Sequence, residues 1–177
     1  MKKIIILPLL VIILISGQAQ KVYMKVEGTK SGIIKDQNMP PKFADKIELA
    51  GYSFQSSSSR DAASGMATGR RVRSPLSITK NNGQSSVLLF LASINNEQLR
   101  TVVIEVYKTN AQGADELEQT ITLTGAVVNS FKQAYTSGAE TGRATKTIMD
   151  AIEFTYQKIT INYVNGGVMA EDSWNSN

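Results

Sequence analysis

Thr120-Ile121-Thr122-Leu123-Thr124 alternates hydroxyl and apolar side chains without a break. A period of two becomes one dry face and one wet face only when the chain is extended, so this stretch is a half-buried β-strand. Working outward, Thr101-Val102-Val103-Ile104-Glu105-Val106-Tyr107 sets Val102, Ile104 and Val106 on one face, with apolar residues on the other too, and predicts a largely buried strand. From Ile152 the phase runs Ile152, Phe154, Tyr156 and then slips to Ile159, Ile161, Tyr163. A slip of one flips every side chain, so a bulge or bend is predicted near Gln157 and Lys158. Ile47 and Leu49 give way to Tyr52 and Phe54 across Gly51 in the same manner. Two bent strands favour a barrel or strongly coiled sheet over a flat one. Residues 22–27, 76–80 and 126–133 complete a mainly β set of roughly seven or eight strands.

One segment breaks the rhythm. Ser85-Ser86-Val87-Leu88-Leu89-Phe90-Leu91-Ala92-Ser93 is continuously apolar behind two serines that could cap a helix. Periodicity alone does not separate a short helix from a buried strand; leucine content leans towards helix. Residues 55–73 differ again, with Ser56-Ser57-Ser58-Ser59, Gly65, Gly69 and the basic Arg60, Arg70, Arg71 and Arg73. A loop this long in a small domain is a candidate for function, and the arginines for contact with phosphate or an acidic partner. Residues 135–147, with Ser137-Gly138 and Thr141-Gly142, are expected to be a second flexible stretch. Trp174 reads equally as a docking anchor or a loose tail.

The chain opens with Lys2 and Lys3, an apolar run over residues 4–15, and Ser16-Gly17-Gln18-Ala19. Positive charge, a short greasy core and small residues make a secretory signal peptide, with cleavage predicted between Ala19 and Gln20. The run is about 12 residues against the roughly 20 that span a bilayer, and Pro8 interrupts it, so no stable membrane anchor is expected. Residues 20–177 then form one domain, secreted or periplasmic. Lys2 and Lys3 leave with the leader, and the net charge falls from +4 to about +2. Nucleic acid loses its main support as a partner, because phosphate binding needs a concentrated basic face.

The chain has no Cys and no His. Disulfides are absent, and so are the commonest general base and the commonest metal ligand, so no catalytic, cofactor or metal site is expected. Ser77-Ile78-Thr79-Lys80 matches the S-x-x-K pattern of penicillin-recognising enzymes but lacks their companion elements. Gly28-Thr29-Lys30-Ser31 lacks the spaced glycine of a phosphate-binding loop and reads as a turn. A binding or structural role leads over an enzyme.

Tyr23-Met24-Lys25-Val26-Glu27-Gly28 resembles the opening strand and turn of the Hcp family, the haemolysin-coregulated tube proteins of type VI secretion. Further matches follow in the family's order: Lys46-Ile47-Glu48-Leu49-Ala50-Gly51-Tyr52-Ser53-Phe54, the Ser/Gly-rich loop, Leu76-Ser77-Ile78-Thr79-Lys80, a short helix at residues 86–92, and later strands at 102–108, 121–128 and 152–163. The resemblance implies an Hcp-like β-barrel with one short α-helix. It also implies hexameric rings that stack as a tube, carry or deliver effectors, and meet sheath, spike and effector proteins. Within residues 55–73, which correspond to the family's extended loop, it makes Ser64, Gly65, Gly69 and Arg70 the candidates for ring stacking.

The leader stands against this resemblance, because familiar tube subunits assemble in the cytoplasm and leave it only when the apparatus fires. The readings are a divergent homologue acting outside the inner membrane, a cytoplasmic subunit with a false signal, and an exported, monomeric adhesin-like or ligand-binding barrel without tube assembly. The last needs an apolar pocket or exposed patch.

Overall fold

The computed structural model describes residues 20–69, 71–140 and 143–174. The expected leader, including Ala19, lies outside them; Gln20 opens the first strand.

β1 (Gln20–Gly28) runs antiparallel along β8 (Gln98–Thr109), with Val22 opposite Val106, Met24 opposite Ile104 and Val26 opposite Val102. β9 (Asp115–Thr124) takes the other edge of β8 and sets Ile121 beside Ile104 and Leu123 beside Val102. Met24, Val26, Val102, Ile104, Ile121 and Leu123 are all buried, so the alternation does define the core face. Each such aliphatic side chain contributes about 1.5–3 kcal/mol by leaving water.

Both phase slips are corners at which a strand changes neighbour. β3 (Ile47–Leu49) pairs with β1, whereas β4 (Gly51–Ser53) pairs with β7 (Leu76–Asn81). Between them the Ala50 N–H donates to the Thr79 carbonyl at 2.8 Å. β11 (Arg143–Thr155) lies between β7 and β10 (Ala126–Glu140), whereas β12 (Lys158–Tyr163) lies between β9 and β13 (Val168–Ser173). A third corner joins β9 to β10 at Gly125, whose φ of +62° favours glycine, with the Gln157 side chain packed 2.7 Å from where a Cβ would stand. Pairing therefore runs β1-β8-β10-β11-β7-β4 and returns through Ala50 and β3 to β1, which closes a barrel; β9, β12 and β13 extend as a curled flap. Phe154, Ile152, Ile78, Leu76, Ile47 and Ile34 fill the interior.

The continuous apolar segment is helical: α1 spans Gln84–Ile94. One of the two serines does help to cap it: Gly83 is the N-cap residue, Ser86 at the N3 position accepts from the Gly83 N–H through Oγ at 2.9 Å, and Asp36 reaches across to accept from the Ser85 N–H at 2.9 Å. Of the flexible stretch expected over residues 135–147, the described residues 135–140 and 143–147 are paired strand: β10 and β11 stay in register out to Glu140 opposite Arg143, as the strand preference of Tyr135, Thr136, Thr145 and Thr147 allows, while Thr141 and Gly142 lie outside the described residues.

Candidate assembly surfaces

Residues 55–73 are a narrow hairpin arm. β5 (Ser56–Ser57) pairs with β6 (Val72–Arg73), and Arg60 bridges Ala67 further out. At the tip, Asp61 Oδ1 accepts from the Ala63 N–H, the Ser64 N–H and the Ser64 hydroxyl at 3.0, 2.7 and 2.9 Å. These bonds, the Ser64 N–H foremost, hold the Asp61 carboxyl below its ordinary value. Gly65, at φ +68°, donates to the Asp61 carbonyl and completes the turn. Ser64 and Gly65 thus meet as turn builders, with the Ser64 hydroxyl already engaged. Gly69 sits in a bend on the returning limb, 3.9 Å from Ser59 at its would-be Cβ, and Arg70 lies outside the described residues. What the arm offers outward is Met66, 71% exposed and the one large apolar side chain at its tip. Its signal in the sequence is a lone methionine among serines, glycines and alanines.

The base of the arm is clamped. Arg73 donates through Nε and Nη2 to the two oxygens of Asp172 at 2.5 and 2.6 Å, and through Nη2 to the Ser173 carbonyl at 2.8 Å. Arg71 lies 3.5 Å from the same carboxylate. The bond from Arg73 is the main reason that the Asp172 carboxyl sits below the usual range. The Arg73 guanidinium covers the Trp174 ring at 5.0 Å, and Trp174 Nε1 donates to the Tyr156 carbonyl at 2.6 Å. Arg71 and Arg73 are thereby answered within the chain, and Trp174 is tied down. A cavity of about 220 Å³ lies under the arm, between Phe54, Arg71, Tyr156, Ile159 and Ile161.

The short motifs dissolve into structure. Ser77 and Lys80 project to opposite faces of β7, so they never meet. Lys80 instead lies buried with Asp150 and Ser86: its Nζ donates to Ser86 Oγ at 2.9 Å and stands 3.5 Å from Asp150, which also accepts from the Ser86 hydroxyl. In the turn after β1, the N–H groups of Lys30 and Ser31 hold the Glu97 carboxylate at 2.6 and 2.8 Å, a carboxylate where the phosphate-loop pattern would have put phosphate.

Residues 23–163 match the family model for Hcp, the type VI secretion system effector. The "Major exported protein" of Pseudomonas aeruginosa is 31% identical over 167 residues, an alignment covering 89% of this chain and 97% of that protein. A crystal structure of an Hcp protein is similar with a TM-score of 0.81 at 24% identity, over 90% of this chain and all of that one. The secreted protein Hcp3 from Pseudomonas aeruginosa gives 0.68 at 26% identity, over 89% of this chain and all of that one.

Proposed function

Because this chain belongs to the Hcp family of type VI secretion proteins, we propose that its protomers close into hexameric rings that stack into a tube carrying or delivering effectors. The observation that carries this reading is the arm over residues 55–73. It is built by its own hydrogen bonds, locked at its base by Arg73 and Asp172, and leaves Met66 71% exposed among the described residues. An arm of that kind suits contact between stacked rings, with Ser64 and Gly65 shaping its tip and Gly69 following on its return; Arg70 is proposed from the family resemblance alone. Sheath, spike and effector proteins are the further partners this reading assigns.

Native mass spectrometry and negative-stain microscopy of residues 20–177 test it. Hexamers and short tubes are expected, and deletion of residues 56–67 is expected to leave folded rings that do not stack. Tubes of normal length after that deletion would refute the arm's role. A monomer at every concentration would favour an exported binding barrel that uses the cavity beneath the arm.

Residues 1–19 are proposed to be a cleaved leader. The described strands all lie within residues 20–173, the part that cleavage after Ala19 would retain. N-terminal sequencing of the mature protein is expected to return Gln20, and an intact Met1 in the cytoplasm would overturn the export route.

A further inference from the structure

We infer that the cavity beneath the arm binds a small aromatic carboxylate, which lays its ring against Tyr156 and Phe54 and its charge on Arg71. Every residue involved belongs to one chain, so the inference stands apart from the ring reading above.

Strand register sets the floor of the cavity. Ile159 lies opposite Asp172 and Ile161 opposite Ala170, so these four side chains share one face of the β12–β13 hairpin. Lys158 and Thr160 turn to the other face with Glu171, whose carboxylate accepts from Lys158 Nζ at 3.1 Å and from Thr160 Oγ1 at 3.5 Å. Tyr156 and Phe54 stand at the sides, and the Tyr156 ring is steadied by its hydroxyl, which donates to the Ser74 carbonyl at 3.4 Å. Two aromatic walls over two isoleucines suit a flat apolar body. The volume of about 220 Å³ exceeds the roughly 150 Å³ that takes up benzene and leaves room for a short acid chain.

The charge at the rim is unbalanced. Arg71 and Arg73 both turn towards Asp172, while Val72 between them is 59% exposed. Asp172 gives both oxygens to Arg73 at 2.5 and 2.6 Å, whereas Arg71 Nη1 stands 3.5 Å away, longer than a good hydrogen bond. Among the described residues Arg71 has no other partner, and its side chain is 53% exposed. One carboxylate therefore answers one of two guanidiniums, and Glu171 is spent on Lys158. A guanidinium with open donors beside an apolar cavity selects a planar anion, because its parallel N–H groups match the two oxygens of a carboxylate. A single positive charge is left to be met. A phosphate monoester brings nearly two negative charges, the second of them beside Asp172.

Isothermal titration calorimetry of residues 20–177 with 3-phenylpropionate tests this. Saturable binding at one site per chain is expected, with a Kd on the order of 0.1–1 mM, ordinary for a ligand of this size. Arg71→Gln leaves the Arg73–Asp172 clamp in place and should weaken binding about tenfold or more. The uncharged 3-phenylpropan-1-ol should lose a similar factor on wild type, and Ala170→Leu, which fills the floor, should abolish binding. Circular dichroism and Trp174 emission check that each variant keeps its fold and its clamp; should Ala170→Leu not fold, Arg71→Gln and the alcohol carry the test. Absence of saturable binding overturns the inference, as does equal affinity for the alcohol or for Arg71→Gln. Tighter binding of phenyl phosphate overturns the choice of a carboxylate, and tighter binding of N-acetyl-Gly-Gly-Phe would hand the cavity to a peptide terminus and overturn it as well. Rings that form in a protein with no such binding refute this inference alone; binding by a protein that never forms rings refutes the ring reading alone.

Discussion

Replacing Lys80 with Met keeps an unbranched stem but deletes an ammonium that has no exposure to solvent. That ammonium donates to the Asn81 carbonyl at 2.6 Å and to Ser86 Oγ at 2.9 Å, and stands 3.5 Å from Asp150 and 3.8 Å from Asp36. The Asp150 side chain is equally buried, and after the change it keeps two donors, the Ser86 hydroxyl and Gln133 Nε2 at 2.9 Å. Deleting one partner of a buried pair costs about 3–5 kcal/mol, because the other charge stays in a medium of low polarity. The two retained donors place Lys80→Met at the lower end, about 3 kcal/mol, which lowers Tm by roughly 6–12 °C for a domain of this size. Asp150→Asn leaves Lys80 facing Asp36 alone and should cost a similar amount. The double variant strands neither charge of the Lys80–Asp150 pair, so its cost is expected to be about 3 kcal/mol again, a coupling of roughly 2–3 kcal/mol. Urea denaturation at one protomer concentration, below ring formation, reads all four corners of this cycle. A Lys80→Met protein within about 1 kcal/mol of wild type, or a strictly additive double variant, would refute the reasoning.

A methyl group at Gly28 would stand 2.4 Å from Glu97 Oε1, so Gly28→Ala should push that carboxylate off the Lys30 and Ser31 N–H groups and cost about 1–3 kcal/mol by thermal denaturation. Burial alone raises the Glu97 carboxyl, but the hydroxyl and N–H of Ser31 and the N–H of Lys30 outweigh it and hold the folded value below the ordinary one. A depressed folded pKa gives stability that is complete above the unfolded value of about 4.3 and is lost as pH falls through the folded value. Wild type should therefore lose stability steadily below about pH 4.5, and Glu97→Gln should flatten that slope in acid titrations of Tm. Asp172→Ala removes the clamp that holds Arg73 over Trp174; since the chain has one tryptophan, its emission should shift to the red, and an unchanged spectrum would count against the clamp.

The barrel was legible wherever one face of a strand is buried, as at Val102, Ile104, Ile121 and Leu123, because burial imposes the period that the eye can follow. Both corners announced themselves as phase slips. The third, at Gly125, carried the same sign, since the buried phase moves from Ile121 and Leu123 to Ala126 and Val128, and it passed unread because a single glycine also reads as a simple turn. The arm's strands left no such trace: Ser56, Ser57 and Val72 are exposed, so nothing apolar alternates, and backbone pairing alone is silent in side chains. Asp36 as the cap of α1 was equally invisible, because it reaches the Ser85 N–H from 49 positions away and only the closed barrel brings it there.

The one segment whose pattern resisted assignment did so for a structural reason. A helix that packs on a single surface shows a stripe, and α1 does not: it is apolar on the side of Leu89 and Ala92 and again on the side of Val87, Phe90, Leu91 and Ile94. A helix apolar all round is one that is covered all round. The barrel covers the first side through Leu89, whereas the second, among the described residues, keeps Val87, Phe90, Leu91 and Ile94 exposed with the Phe131 ring 5.4 Å from that of Phe90. Continuous apolar sequence at residues 87–92 thus records two apolar sides rather than one stripe. Charge placed at Val87 should leave the protomer's fold nearly untouched, the reverse of what charge at the inward-facing Leu89 would do, and urea denaturation of the two variants reads the difference.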